Sequence, residues 1–187
     1  MDISNKLKIA NVNGKKAQIM GMPFQMIFSL ILIAVFIFAA IKGVNYFIGT
    51  SEHAKINTFI VELGSKVENA YLATGDISQN YEFSLPSRIN AVCFANPPLS
   101  KNMLSSKNIT ACSEFEYYLT AFNSKNMNMF FCPPKKAADV DAPIYARIDC
   151  KGKDCLDFES PYCIRNTNGK IKINLEKNLG EDKVRLK

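Results

Sequence analysis

Six cysteines are the side chains of this sequence that are best suited to chemistry, and all of them follow residue 92. Their even number is typical of a disulfide framework, which forms and persists in an oxidising compartment. Six cysteines allow many pairings, so the connectivity stays open, although a bridge between Cys150 and Cys155 would close a short local turn. The disulfide candidates are Cys93, Cys112, Cys132, Cys150, Cys155 and Cys163.

A structural zinc site is the alternative use of these cysteines. Such sites favour Cys-x-x-Cys pairs or neighbouring histidines. The sequence contains no Cys-x-x-Cys spacing, and its single histidine is His53. The sequence therefore favours disulfides, and we predict no metal site.

A group of acidic residues near the last cysteines offers oxygen ligands of the kind that Ca²⁺ takes. Their spacing is not that of an EF-hand, and Lys151 and Lys153 lie among them. We therefore expect a solvated loop. The acids are Asp149, Asp154, Asp157 and Glu159.

The sequence shows no recognisable catalytic set. A serine or cysteine nucleophile needs a histidine beside it, and we expect His53 at a membrane interface instead. No glycine-rich phosphate-binding loop is present. We predict that the protein is not an enzyme and that it binds no cofactor.

An apolar run at residues 22–41 determines where the rest of the chain is expected to lie. Its twenty residues include no charged side chain. At about 1.5 Å per residue, a helix of this length spans roughly 30 Å, the thickness of the hydrocarbon core of a bilayer. Because lipid cannot satisfy unpaired peptide groups, a spanning segment must be helical. We predict a transmembrane helix within residues 22–49.

The charges before this run give it a direction. Four lysines and one acid lie in residues 1–17, and no comparable group of lysines follows the run. Since Lys and Arg beside a membrane helix tend to stay cytoplasmic, residues 1–21 are predicted to be a basic cytoplasmic leader. The protein would lie in the cell membrane with its C-terminal domain extracytoplasmic, in agreement with the cysteines.

The net charge of +6 does not indicate a nucleic-acid-binding protein. From Ser51 onward the chain carries 18 basic and 16 acidic residues, a net charge of only +2. The basic residues form no cluster of the kind that binds phosphate backbones. We exclude nucleic acid as a partner and expect membrane lipid.

Residues 50–74 are predicted to form an amphipathic helix. Apolar residues recur every three or four positions, which is the period of one helical face. This stripe is expected to pack on the core of the domain; the alternative is a helix–helix contact between protomers. The stripe consists of Ile56, Phe59, Ile60, Leu63, Val67 and Tyr71.

Residues 75–187 are predicted to form an extracytoplasmic β-rich domain. Ser113 begins a capping-box pattern that predicts a short helix, and the Asn166–Gly169 turn predicts a β-hairpin between its flanking strands. Asn108 begins the only glycosylation sequon and is a candidate modification site. The predicted strands are residues 81–85, 89–94, 126–134, 142–150, 162–165, 170–175 and 184–186.

The predicted fold class is thus α+β. A transmembrane helix at residues 22–49 continues into an amphipathic helix at residues 50–74. A small antiparallel, β-rich, disulfide-stabilised domain follows at residues 75–187.

This order of leader, apolar helix, amphipathic helix and disulfide-bearing head resembles that of type IV pilin-like proteins. Lys15-Lys16-Ala17-Gln18 resembles the class III signal peptide of archaeal pilins, which implies cleavage between Ala17 and Gln18. The layout, with Ser84-Leu85-Pro86, Val92-Cys93-Phe94 and residues 130–134, also resembles that of small membrane-anchored proteins of archaea. The pilin resemblance implies a subunit that assembles through its helix.

We therefore predict a single-pass, membrane-anchored surface protein with a structural or interaction role, most specifically a pilin-like filament subunit. The alternative is an accessory subunit of a membrane enzyme or secretion complex. In both cases the partner, a second copy or another membrane protein, would be bound through the helix at residues 22–72.

The leader makes one prediction that can be tested directly. If the resemblance holds, mass spectrometry of the native protein should find a chain that begins at Gln18, and replacing Ala17 with a bulky residue should block the cut. A native chain that still begins at Met1 would rule out class III processing.

Overall fold

The computed structural model describes residues 15–106, 110–139 and 142–187. The chain divides into two units, Met1–Tyr46 and Phe47–Lys187. In its described part, the first unit is helical throughout. We call the second unit the head; it contains the rest of the same helix and all the strands described below.

Helix α1 comprises Lys15–Leu72. Within the described residues, Phe24–Leu72 is one helix that is long and apolar enough to cross a membrane, judged by length and composition. Its most apolar window has a mean hydropathy of 2.7, and none of that window is buried. A helix that is apolar on every side needs an apolar surrounding.

Beyond residue 50 the same helix buries a single face. The predicted stripe is confirmed: Ile56, Phe59, Leu63 and Val67 are buried in the core of the head. Ile60 and Tyr71 are half-buried and pack against that core. The helix ends at Leu72, two residues before the predicted end at residue 74.

The head contains two four-stranded sheets, and their predominantly antiparallel pairing confirms the α+β class. Sheet 1 has the order β1-β7-β8-β5, and sheet 2 has the order β4-β3-β2-β6. The β5–β8 pair is parallel, and the other pairs are antiparallel. The strands are β1 (Ile77–Ser84), β2 (Ala91–Phe94), β3 (Met129–Cys132), β4 (Tyr145–Ala146), β5 (Leu156–Asp157), β6 (Tyr162–Arg165), β7 (Lys170–Lys177) and β8 (Val184–Leu186).

Short helical segments connect the strands. They are α2 (Lys101–Ser106), a 3₁₀ helix (Thr110–Tyr118), α3 (Leu119–Ser124) and α4 (Pro134–Ala138). The predicted capping box at Ser113 is wrong as a helix start, because Ser113 lies inside the 3₁₀ helix. Phe115 and Phe122, which follow Ser113 in the sequence, are nevertheless buried.

Phe59 of helix α1 joins the two sheets. Its ring centroid lies 5.4 Å from that of Phe83 in β1 and 6.0 Å from that of Phe131 in β3, both in edge-to-face geometry. Aromatic pairs at these distances contribute beyond the area they bury. The helix is therefore part of the core of the head.

Sheet 2 is buried on both of its faces. Val92, Phe94 and Phe131 belong to the cluster that packs with helix α1. Their neighbours Cys93 and Phe130 point to the opposite face and pack in a second cluster, with residues of the 3₁₀ helix and α3. Because successive side chains of a strand alternate between faces, two covered faces explain why β2 and β3 are continuously apolar.

The predicted hairpin around Asn166–Gly169 is wrong, although its turn forms. Asn168 and Gly169 have positive φ angles of 54° and 80°, as a tight Asn-Gly turn requires. However, β6 pairs with β2 in sheet 2, whereas β7 pairs with β1 and β8 in sheet 1. The turn thus passes the chain from one sheet to the other.

Hydrogen bonds to a different part of the chain hold that crossover. The Asn166 side-chain amide donates to the carbonyl oxygens of Pro86 (2.9 Å) and Ile89 (2.7 Å). The Leu85 amide donates to the carbonyl oxygen of Gly169 at 2.9 Å. Long-range bonds of this kind have no signature in the local pattern.

The strand predicted at residues 142–150 is reduced to β4, Tyr145–Ala146. Its residues do not keep one alternating face: Ile144 packs in the second cluster, whereas Ala146 and Ile148 pack in the first. The side chain of Asn128 replaces further sheet pairing, since it donates to the Ile148 carbonyl at 2.7 Å and accepts from the Ile148 amide at 2.8 Å.

The central position of Phe59 can be tested by truncation. Phe59→Ala should lower the free energy of unfolding of the head by about 3 to 5 kcal/mol, because the change leaves a cavity between the two sheets. Guanidinium unfolding of the detergent-solubilised full chain measures this. Val61→Ala is the matched control on the same helix, since Val61 is 70% exposed, and it should shift stability by less than about 0.5 kcal/mol. Equal effects would contradict the proposed packing.

Candidate membrane anchor and disulfide cluster

The exposed apolar surface of the first unit is the first candidate site. We call Phe24–Tyr46 the anchor segment. Its large hydrophobic side chains are between 41% exposed (Leu32) and 79% exposed (Tyr46). Water-soluble monomers rarely leave a continuous apolar patch of this size uncovered. The surface therefore requires lipid or protein around it.

One charged residue lies within the anchor segment. The Nζ of Lys42 lies 5.6 Å from the centroid of the Phe38 ring, one turn earlier. A cation over an aromatic face is stabilised by the ring quadrupole, and a lysine stem can carry its charge towards an interface. Tyr46 and Phe47 follow, both strongly exposed, with the chemistry of a headgroup-level aromatic belt.

Near the start of the head, an ion pair connects helix α1 to the loop after β1. The Arg88 Nη2 lies 2.7 Å from the Glu52 Oε2, as an ion pair without hydrogen-bond geometry. The Glu52 side chain is only 16% exposed. His53, the next residue, is half-buried. The pair holds the start of the head helix against the β1–β2 connection.

The structure joins all six cysteines in three disulfides, which confirms the predicted framework. Cys93 pairs with Cys163, Cys112 with Cys132, and Cys150 with Cys155. The last is the local pairing that the sequence left open. The first links directly opposed residues of β2 and β6, and the second links the 3₁₀ helix to β3.

These bridges stabilise the head chiefly where helix α1 does not reach. The first two span 70 and 20 residues. In the chain-entropy account each removes about 3 to 4 kcal/mol of loop-closure freedom from the unfolded chain. Both lie in the second cluster, on the face of sheet 2 that is opposite to helix α1.

Two of the disulfides touch each other. The Cys93 Sγ lies 3.6 Å from the Cys112 Sγ and 3.9 Å from the Cys132 Sγ. Cys93, Cys112 and Cys132 are buried, and Cys163 is half-buried. We call these four residues the sulfur cluster. The pleat of the sheet explains why Cys93 and Cys132 are close. Cys132 lies opposite Ala91, and Ala91 and Cys93 are two residues apart on β2, so all three side chains lie on the same face.

Stacked aromatic rings border the sulfur cluster. Phe115 lies 3.9 Å from Phe130 between ring centroids, with an interplanar angle of 17°. Phe122 meets both rings edge-on, at 5.5 and 5.6 Å. The cluster therefore lies in an apolar environment. The position of Cys112 had no sequence signal, because it depends on how the 3₁₀ helix folds back onto sheet 2.

Three of the four acidic residues considered as calcium ligands are paired with basic side chains. Asp149 lies 3.4 Å from Arg147, Asp154 lies 3.5 Å from Lys183, and Asp157 lies 3.4 Å from Arg185. Among the described residues, the one group of potential ligand atoms close enough to share a metal is made of cysteine sulfurs, those of Cys93, Cys112 and Cys163.

Surface ion pairs and hydrogen bonds shift several carboxyl groups. A hydrogen bond from Lys170, together with its charge, lowers the pKa of Glu82. The corresponding contact of Lys187 lowers the pKa of Glu176, and hydrogen bonds from Asn178 lower that of Glu181. These contacts favour the charged form of the three surface carboxylates.

An open cleft of about 380 Å³ lies beside β5, β6 and β8. Asp157, Tyr162 and Arg185 contribute to its lining, and burial raises the pKa of the Tyr162 hydroxyl. Arg185 is engaged with Asp157 and Glu181. The cleft thus presents ion-paired side chains and a protonated phenol.

Three predicted site residues remain without a structural account. Asn108, the candidate glycosylation site, lies outside the described residues. Ala17 and Gln18 lie in the backbone of helix α1, and the description of side chains begins at Phe24. Cleavage and glycosylation stay predictions from the sequence.

The disulfides predict a clear labelling result. In whole cells and without reduction, a thiol-reactive reagent should add to none of the six cysteines, because every thiol is consumed in a bridge. After denaturation and reduction it should add six labels per chain, as counted by mass spectrometry. Six reactive thiols before reduction would overturn both the disulfides and the extracytoplasmic placement of the head.

Comparisons with protein-family models, with curated proteins and with solved structures found no match. What the chain does is therefore inferred from its own geometry. Two features support that inference: the exposed apolar anchor segment, and the head, whose second cluster contains the two contacting disulfides.

Proposed function

We propose that this protein is a single-pass membrane protein whose anchor segment lies in lipid and whose head acts outside the cytoplasm as a structural or interaction module. The observation that carries the proposal is the contrast along helix α1. Its apolar side chains are exposed over the anchor segment and buried in the stripe of the head. Only the first part needs lipid or a partner to cover it.

The orientation follows from charge and redox chemistry. The lysines of the leader favour a cytoplasmic N-terminus. Three disulfides in the head favour an oxidising compartment. These two arguments rest on different residues and different physics, and both support a head on the outer side.

The head is suited to a passive mechanical role. Its core holds helix α1 against both sheets, and its disulfides link separate parts of sheet 2 and the 3₁₀ helix. A rigid, cross-linked head on an apolar helix supports a surface protein of the pilin-like kind, which would assemble through the anchor segments of neighbouring copies.

The burial of the stripe limits which surfaces of the protein could contact a second copy or another partner. Ile56, Leu63 and Val67 are fully buried by the chain's own head, so they offer no contact to a second protein. A partner that binds through this helix would contact the anchor segment or the exposed face of the helix in the head instead. The fifth residue after the predicted cut is Met22, where many pilins carry glutamate, so a buried carboxylate would not set the register between copies.

Photo-crosslinking from the anchor segment tests the proposal. Phe36 is 70% exposed, and replacing it with p-benzoylphenylalanine preserves an aromatic side chain. Illumination of membranes that contain the full-length chain should give lipid adducts and a ladder of chain–chain adducts. Tyr117, 87% exposed on the head, is the matched control and should give neither.

The pattern of adducts separates the alternatives. Lipid adducts without chain–chain adducts would leave the anchor but contradict self-assembly. Adducts with one different membrane protein would support the accessory-subunit alternative. Extraction of the chain by alkaline carbonate, with no lipid adduct, would overturn the anchor itself.

A further inference from the structure

The sulfur cluster suggests a second chemical state of the head. We propose that, once its two disulfides are reduced, the cluster of Cys93, Cys112, Cys132 and Cys163 binds one thiophilic divalent cation, Zn²⁺, as a tetrahedral four-thiolate site. This inference goes beyond the anchor function and does not depend on it.

The spacing of the sulfur atoms carries the argument. With a Zn–S bond of about 2.3 Å, two sulfurs of a tetrahedral site lie about 3.8 Å apart. The two contacts between the neighbouring bridges, from Cys93 to Cys112 and to Cys132, are 3.6 and 3.9 Å. The sulfurs of Cys93, Cys112 and Cys163 all lie within 4.8 Å of one another. Two contacts between the bridges therefore already have about the separation that zinc requires, whereas the two sulfurs within each bridge must move apart once it is reduced.

The surroundings also suit such a site. Each of the four ligands comes from a different element: β2, β3, β6 and the 3₁₀ helix. Sheet pairing and the stacked Phe115 and Phe130 rings hold those elements together independently of the bridges. A reduced head can thus keep its ligands close, which lowers the ordering cost of metal binding.

A reductant can reach the cluster through Cys163, its half-buried member. A thiolate of an external dithiol attacks the Cys163 sulfur and expels the Cys93 thiolate, 3.6 Å from Cys112. The second thiol of the dithiol then attacks the mixed disulfide and releases the Cys163 thiolate. The Cys93 thiolate attacks Cys112 and expels the Cys132 thiolate, and a second dithiol reduces the resulting Cys93–Cys112 bond in the same way. Full reduction of both bridges takes four electrons and four protons from two dithiols, which become disulfides. Binding of Zn²⁺ then releases the four thiol protons.

The proposal explains how the head could be held together where disulfides cannot form. In a reducing compartment the two bridges are lost. One metal ion would then connect the same four elements. Cys150 and Cys155 lie outside the cluster and form a separate local bridge, so they should take no part.

Metal titration of the reduced full chain tests this site. The detergent-solubilised protein is reduced with a phosphine, which does not compete as a thiol ligand, and titrated anaerobically with Co²⁺ and then Zn²⁺. We expect one equivalent of Co²⁺ with the visible bands and thiolate charge transfer of a tetrahedral site, displaced by one equivalent of Zn²⁺. The oxidised chain should bind none.

Paired variants locate the site. Cys112→Ser/Cys132→Ser should lose the tetrahedral cobalt spectrum, and Cys150→Ser/Cys155→Ser should keep it at one equivalent. Zn²⁺ should also raise the melting temperature of the reduced unmodified chain, a readout that needs no variant to fold. No thiolate band, no thermal shift, or loss of binding in the Cys150/Cys155 variant alone would each overturn the proposal.

Discussion

The packing of one face of helix α1 against both sheets is the interaction on which the head depends. Sheet 1 and sheet 2 each present an apolar face, and Phe59 contacts a ring from each of them. Without the helix, the apolar face of each sheet would be exposed to water. Because the hydrophobic effect scales with the apolar area removed from water, the helix is as much a core element as any strand.

This dependence divides the helix by function. Over the head, most of its apolar stripe is buried within the chain, and Ile60 and Tyr71 are half-buried. Over the anchor segment, no part of the described chain covers the apolar side chains. The same residue types therefore stabilise the fold in one stretch and demand an external apolar phase in the other. On the face of sheet 2 that is opposite to the helix, stacked aromatic rings and contacting disulfides complete the core.

The predictions that failed share a physical cause. The Asn166–Gly169 sequence forms the tight turn that it predicts. Strand pairing, however, depends on which apolar faces are covered in the folded head, and β6 pairs with β2 whereas β7 pairs with β1. Residues 142–150 form only a two-residue strand, because the Asn128 side chain satisfies the Ile148 backbone in place of a neighbouring strand. The pattern at Ser113 starts no α-helix, because the chain enters the second cluster as a 3₁₀ helix.

Local periodicity and composition were sufficient to predict the long helix, its buried stripe, most strand positions and the use of cysteines in disulfides. These features depend on side-chain spacing along a single element, which the sequence displays directly. Strand order, the crossover between sheets, the disulfide partners and the contact between two bridges arose only in the tertiary structure. They depend on distances between residues that are far apart in the chain, such as the 70 residues between Cys93 and Cys163, and a linear pattern contains no measure of those distances.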